Sequence, residues 1–212
     1  MRKYVLLLLV AGMTGLVAKA QKFTYGADLG PNFSGAIIKT DTHATGTPGL
    51  GFQFGGFVEL SLTDELSVRP RLLLSYERYV PHMYGDEYPI HVTFLKLPVD
   101  VVLRPSSLPK WFFGIGPYLA AGLSGKYSSK DVGYKSSIGF GSDPDNDEAK
   151  RFDAGIDLVA GYRVRDNIIL TANFDFGIVN YLNTAYFTAS SAHTLNLGIT
   201  AGYLLSSLSK GK

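Results

Sequence analysis

The 212-residue sequence predicts an all-β protein, an eight-stranded antiparallel up-and-down transmembrane β-barrel with long outer loops and short periplasmic turns. Three observations predict this fold. Eight segments alternate apolar and polar residues with a period of two, the pattern of strands whose two faces meet different surroundings. Each segment has roughly the nine to eleven residues that a tilted strand needs to cross a bilayer, or slightly more. The connections between the segments alternate between long and short, as they do in outer-membrane barrels.

The amino terminus predicts a secretory signal peptide over residues 1–20, which leaves a barrel domain over 21–212. A basic start, Arg2-Lys3, precedes an apolar stretch over 4–10, and the small-residue pattern at 18–20 is typical of a cleavage site. A permanent helical anchor fits less well, because the apolar stretch is shorter than the ~20 residues that cross hydrocarbon. The chain is therefore expected to be exported across the inner membrane.

The four amino-terminal strands are predicted from their apolar alternate positions. These positions are Tyr25, Ala27, Leu29, Pro31 and Phe33; Phe52, Phe54, Gly56, Val58, Leu60 and Leu62; Leu66, Val68, Pro70, Leu72, Leu74 and Tyr76; and Leu95, Leu97, Val99, Val101 and Leu103. None of them is charged. A sheet with such a face needs an apolar environment on that side.

The four carboxy-terminal strands follow the same rule. Their apolar positions are Trp111, Phe113, Ile115, Pro117, Leu119, Ala121 and Leu123; Phe152, Ala154, Ile156, Leu158, Ala160, Tyr162 and Val164; Leu170, Ala172, Phe174, Phe176 and Ile178; and Leu195, Leu197, Ile199, Ala201, Tyr203 and Leu205. Several aromatic residues lie near segment ends, which is typical of the interfacial girdles of a membrane barrel.

The opposite face of the strands combines glycines with charged residues. Its charged members include Asp28, Glu59, Arg69, Arg71, Lys96, Asp100, Asp153, Asp157, Arg163 and Asp175. About eight strands enclose an interior that side chains fill, so charges there must be paired. We therefore expect a structural ion-pair network formed by Glu59, Arg69, Arg71, Lys96, Asp100, Asp153, Asp157, Arg163 and Asp175. The alternative is a proton or solute pathway through the same residues.

The connections decide between a barrel and a water-soluble β-sandwich, which shows the same alternation. Long connections are predicted at 35–49, 81–91, 125–150 and 180–192, and short ones at 63–65, 105–110 and 165–167. This order favours the barrel and places both termini on the periplasmic side.

The sequence resembles the outer-membrane β-barrel domain family common in the Bacteroidetes, the eight-stranded group with PorT-like and OmpA-like barrels. The resemblance covers the whole mature chain and is carried by the glycine-rich segment at 25–30, Leu95-Lys96-Leu97-Pro98-Val99, Gly114-Ile115-Gly116-Pro117-Tyr118 and the segment at 155–162. It implies a barrel architecture and an outer-membrane location, with no specified chemistry.

Composition excludes several functional classes. The chain has no cysteine, a formal charge of +2 and no basic stripe, so disulfides, thiolate metal sites and nucleic-acid binding are not expected. The acidic run Asp143–Glu148 lacks the glycine and the twelfth-position glutamate of a calcium loop, and no catalytic motif, metal site or cofactor site is predicted.

The sequence thus predicts a non-enzymatic outer-membrane protein with a structural or surface-interaction role through its loops. Its expected partners are outer-membrane lipid, the barrel-assembly machinery during biogenesis and an unknown surface ligand, and the chain is expected to be a monomer. One alternative is a rim-site lipid-modifying enzyme using Ser191 and His193, and the other is a soluble periplasmic ligand binder of sandwich or calyx type.

Overall fold

A computed structural model describes residues 22–40, 45–83, 86–87, 89–128, 135–141, 143, 147–181 and 189–205. The predicted signal peptide at 1–20 lies outside these residues. Within them, no helix is long and apolar enough to cross a membrane.

Eight long strands and two short ones form the described structure. They are β1 (Lys22–Thr40), β2 (Thr45–Ser61), β3 (Leu66–Met83), β4 (Asp86–Glu87), β5 (Ile90–Leu103), β6 (Trp111–Ser128), β7 (Lys135–Ser137), β8 (Phe152–Arg165), β9 (Ile168–Gly177) and β10 (Ala189–Leu204). The short strands β4 and β7 extend β3 and β6 at the loop end and take no part in closing the sheet.

The long strands pair antiparallel with their neighbours in the order β1-β2-β3-β5-β6-β8-β9-β10. Pairing of β1 with β10 closes the sheet, with Leu29 opposite Ala201 and Phe33 opposite Leu197. The predicted closed eight-stranded antiparallel barrel is confirmed. Closure leaves no unpaired long edge, which is the condition for a sheet to sit in hydrocarbon.

The strands reach further than the sequence pattern indicates. Residues 35–49 were expected to be a long loop, but β1 continues to Thr40 and β2 begins at Thr45. The expectation was wrong because backbone pairing continues above the apolar band, where the side chains no longer alternate. The short connections at 62–65, 104–110 and 166–167 agree with the predicted turns.

The apolar face of the barrel points outward and the charged face points inward. Leu29, Ile115 and Leu119 are 55–58 % exposed, whereas Asp100 and Asp157 are completely buried. Near the first turn, Leu60 and Val68 share the outward parity yet are only 5 % and 9 % exposed. A water-soluble sandwich or calyx would bury its apolar residues, so this arrangement contradicts the soluble-binder alternative.

Aromatic side chains lie on the outward face near both ends of the strands. Trp111, at the turn end, is stacked with Phe113 at 6.2 Å between ring centroids and meets Tyr162 edge-on at 5.0 Å. Phe52 and Phe54 are neighbours nearer the loop end, 6.4 Å apart. Rings in these positions sit at the headgroup level of a bilayer.

Candidate functional site: the packed barrel interior

The interior at the turn end is organised around the carboxylate of Glu59. Arg69 donates to Glu59 Oε2 from Nε at 3.0 Å and from Nη2 at 2.7 Å. Arg104 Nη2 donates to the same oxygen at 2.7 Å, and Ser67 Oγ donates to Oε1 at 2.9 Å. Charge-assisted bonds of this kind satisfy a carboxylate that is only 5 % exposed.

An apolar cluster lies directly beside this group. It consists of Phe57, Val102, Phe112, Val159, Ile169 and Leu204, which we call the turn-end cluster. The guanidinium carbon of Arg69 lies 4.2 Å from the ring centroid of Phe112 and 5.1 Å from that of Phe57. Arg69 therefore joins the ionic group to the apolar cluster through cation–π contacts.

Arg71 is the central cation of the barrel. Its Nε lies 3.2 Å from Asp100 Oδ2, and its Nη2 contacts Asp157 Oδ2. All three side chains are at most 2 % exposed. Asp157 is also directly opposite Asp175 on the neighbouring strand, so two carboxylates of one sign face each other. Two facing carboxylates repel each other unless nearby cations neutralise them.

Lys96 is the second buried cation near the middle of the barrel. Its Nζ lies 2.7 Å from Asp175 Oδ2 and 2.5 Å from Glu77 Oε1. Asn173 Nδ2 donates to Asp175 Oδ1 at 3.2 Å, and Gln53 Nε2 donates to Asn173 Oδ1 at 2.8 Å. Arg71 and Lys96 thus each contact two carboxylates. We call these two cations and their partners the ionic layer, which consists of Arg71, Lys96, Glu77, Asp100, Asp157 and Asp175.

Neutral polar side chains connect the ionic layer to β1 and β10. Asn32 Nδ2 donates to Ser75 Oγ at 3.0 Å, and Ser75 Oγ donates to Glu77 Oε1 at 2.9 Å. Asn196 Nδ2 donates to Ser34 Oγ at 3.0 Å. The first bond joins β1 to β3 past β2, and the last joins the neighbouring strands β1 and β10.

A second apolar cluster occupies the loop end. Its core is Val92, Phe94, Tyr118 and Ala120, with Tyr79, Ile90, Ile138, Phe140 and Tyr181 packed against it, and we call it the loop-end cluster. Beside it, Tyr118 and Thr194 donate their hydroxyls to Asp153 Oδ2 at 2.9 and 2.6 Å. Tyr181 follows β9 and packs 5.6 Å from Phe94, and burial raises the pKa of its phenol above the ordinary value.

The structure places most of the predicted network residues in this interior. Glu59, Arg69, Arg71, Lys96, Asp100, Asp157 and Asp175 are buried and take part in ion pairs. Asp153 is buried too, but its partners are two hydroxyl groups and the backbone N–H of Ala154.

Arg163 departs from the predicted network. It is only half-buried and forms no ion pair with the residues that the structure describes. The β8–β9 register shifts between Arg163 and Arg165, and the ladder continues with Arg165 opposite Ile168. At the end of the barrel its long side chain reaches water without a buried partner.

Sequence reasoning missed two charged members of the interior, Glu77 and Arg104. Glu77 continues the inward parity of Arg69, Arg71 and Ser75 along β3, so extending that period by one step would have found it. Arg104 lies just after β5 ends, where no period applies. The buried amides of the interior were also harder to predict from the sequence, because an uncharged side chain does not require a partner of opposite charge. They are Asn32, Gln53, Asn173 and Asn196.

The described residues hold no group of three or more His, Asp and Glu side chains that could bind a metal ion. Of the acidic run at 143–148, residues 144–146 lie outside the described part of the chain. Ser191 and His193 are half-buried on β10, opposite Lys39 and Ile37, and no hydrogen bond joins their two described side chains.

Comparison with known proteins agrees with this geometry. The model of the outer membrane protein beta-barrel domain family matches residues 19–183. The chain belongs to this family. It is accordingly an outer-membrane barrel whose apolar face contacts lipid. The narrower resemblance to PorT-like barrels of the Bacteroidetes stays a prediction.

Three solved structures are among those similar to this chain. OprG from Pseudomonas aeruginosa is 11 % identical over 88 % of this chain and 97 % of its own, with a TM-score of 0.52. Ail of Yersinia pestis, solved with the heparin analogue sucrose octasulfate, is 12 % identical over 87 % and 100 %, with a TM-score of 0.46. Neisserial surface protein A is 12 % identical over 85 % and 96 %, with a TM-score of 0.47. Among curated proteins no match is found.

Proposed function

We propose that this chain is a non-enzymatic outer-membrane barrel, closed to solutes, with a structural or surface-interaction role carried by its outer loops. The proposed orientation places the three short turns in the periplasm and the longer connections outside, as in bacterial barrels generally. In this proposal the chain acts as a monomer in outer-membrane lipid and meets the barrel-assembly machinery during biogenesis.

The observation that carries the proposal is the filling of the interior by three successive layers. The turn-end cluster and the loop-end cluster are apolar, and the ionic layer lies between them. An ion would have to leave water to pass either apolar cluster, which costs several kcal/mol. Apolar constrictions close pores by excluding water.

The ion pairs support a structural role rather than a solute pathway. Arg71 and Lys96 are each held between two carboxylates, and both are buried. A group that transfers a proton or solute needs access to water, which this packing withholds from both cations. In the proposed function their contribution is to fix the register of distant strands.

The outer end carries folded structure beyond the strands, which supports the surface role. Gly139 N donates to Glu148 Oε2 at 2.6 Å, and Arg151 Nη2 donates to the carbonyl oxygen of Phe140 at 2.9 Å. Phe140 also pairs with Ala149 in an isolated bridge. These contacts hold part of the longest connection over the barrel end, where it can present a defined surface.

Recordings in planar bilayers test the closed barrel. The purified protein is expected to give no steady conductance, and a reproducible open state would contradict the proposal. A variant with Phe94, Phe112 and Tyr118 changed to alanine removes large side chains from both apolar clusters and controls for the detection of openings. Incubation with outer-membrane glycolipid should leave the lipid mass unchanged, and a mass shift would favour the rim-site enzyme.

A further inference from the structure

Three basic residues form a row on the outward face near the loop end. Arg78 on β3 is directly opposite His91 on β5, and His91 is directly opposite Lys126 on β6. Their inward neighbours Glu77 and Val92 are 1 % and 2 % exposed, so the alternation of the strand turns the basic row outward. Arg78 and His91 are half-buried and Lys126 is exposed.

The row lies immediately beyond the lipid-facing band. The preceding outward row is Tyr76, Thr93 and Ser124, and the one before that contains Leu74, Leu95 and Ala121. Two residues of strand correspond to about 7 Å along the strand, or about 5 Å along the membrane normal at the usual tilt, so Arg78 lies about that far beyond Tyr76. A tyrosine ring marks the membrane interface, which puts the three basic side chains at headgroup depth.

Among the side chains that the structure describes, no carboxylate neutralises the positive charge of the row. Glu77, the acid next to Arg78, points inward and binds Lys96 and Ser75. Neither Arg78 nor Lys126 forms an ion pair with a carboxylate whose side chain the structure describes, which leaves aside Asp86 and Glu87 of β4. Arg78 Nε is buried and has no hydrogen-bond partner among the described side chains. A bound anion would supply the counter-charge that these described residues do not.

Tyr76 orients the middle member of the row. Its hydroxyl lies 2.6 Å from His91 Nδ1, and the two rings stack at 5.6 Å between centroids. When Nδ1 accepts the tyrosine hydrogen, the imidazole carries its own hydrogen on Nε2, as a donor. The ring is thereby fixed between the two cationic side chains.

We propose that Arg78, His91 and Lys126 bind a phosphate-bearing headgroup of an outer-leaflet glycolipid. Adjacent strands are about 4.8 Å apart, so the outer two side chains begin about 10 Å apart with the imidazole between them. A phosphate presents several strong acceptor oxygens to the guanidinium fork, the imidazole N–H and the ammonium group. The acyl chains of such a lipid would lie on the leucines below. This inference rests on the proposed orientation of the barrel.

Native mass spectrometry of the folded full-length protein in detergent tests the site. The probes are diphosphoryl lipid A, the same glycolipid without phosphates, and inorganic phosphate as a competitor. The double variant Arg78→Gln/Lys126→Gln should bind diphosphoryl lipid A at least about tenfold more weakly than the wild type. The dephosphorylated lipid should bind as weakly to the wild type as the phosphorylated lipid binds to the variant.

The matched control removes two exposed cations at the turn end, through Lys110→Gln/Arg165→Gln. It should retain wild-type binding, because these residues lie outside the row. Equal weakening in both double variants would overturn the site, as would equal binding of the two lipids or full competition by millimolar inorganic phosphate. If the row variant fails to fold on a heat-modifiability gel, Lys126→Gln alone should still weaken binding several-fold, and an unchanged affinity would overturn the site.

Orientation is tested separately by labelling intact cells with a membrane-impermeant amine reagent. Lys150, which lies at the loop end but outside the basic row, should react, and Lys110 should not. Labelling of Lys110 instead would overturn the proposed orientation, whereas correct labelling without selective lipid binding would overturn the site alone.

Discussion

If the outward face of β5 contacts lipid, an arginine placed there should lower the free energy of unfolding by an amount that depends on its depth in the membrane. Leu97 and Leu103 are both outward on this strand, and they are 43 % and 46 % exposed. Their similar exposure means that any difference between Leu97→Arg and Leu103→Arg must come from depth in the membrane.

The size of the difference follows from strand geometry. The six residue steps from Leu97 to Leu103 span about 20 Å along the strand, or about 15 Å along the membrane normal at the usual tilt. This is half the ~30 Å hydrocarbon thickness, so one position lies near the centre when the other lies near the interface. Arginine should lower the free energy of unfolding by about 2–4 kcal/mol at position 97 and by about 0–1 kcal/mol at position 103.

Reversible urea unfolding in phospholipid vesicles measures both costs, with a heat-modifiability gel to establish that each variant folds. Equal costs at the two positions would refute the reasoning, since an outward face in water has no depth. A larger cost at Leu103 than at Leu97 would place the membrane centre elsewhere on the strand.

Two further predictions concern the interior and the first turn. Arg71→Met leaves Asp100 and Asp157 without their shared cation and should lower the free energy of unfolding by about 3–5 kcal/mol, whereas Arg163→Met should cost less than about 1 kcal/mol. Equal costs in urea unfolding would contradict the assignment of Arg71 as the central cation. In the turn, hydrogen bonds from the Ser106 side chain and backbone hold the pKa of Glu65 below its ordinary value. These bonds stabilise the turn above the ordinary pKa and are lost as pH falls through the lowered one. Ser106→Ala should raise the pKa of Glu65 in an NMR titration of its carboxyl, and coincident curves would refute this.

The sequence predicted the strand faces well because one period governs them. Positions such as Leu97 and Asp100 fall on opposite faces by parity alone, and the structure has them exposed and buried respectively. The strand ends were predicted less well. Residues 35–40 continue β1 towards the loop end, where ladder hydrogen bonds remain but the apolar run Ala36-Ile37-Ile38 no longer alternates with polar residues.

Partner choice inside the barrel was not available from the sequence. Arg71 and Asp157 are 86 residues apart in the chain, and Lys96 and Asp175 are 79 apart. Which inward carboxylate meets which cation depends on the register of strands that are not all adjacent. Asp153 illustrates this, since its neighbours proved to be Tyr118 and Thr194 rather than a cation.

The amino-acid sequence by itself determined which side of each strand is apolar, and hence that this sheet needs lipid outside and paired charges inside. The reason is local, because side chains alternate on a strand whatever its neighbours are. Only the tertiary structure decided the layering of the interior and the basic row of Arg78, His91 and Lys126. Both depend on the stagger between strands, which sets the height at which distant residues meet and is fixed only when the barrel closes.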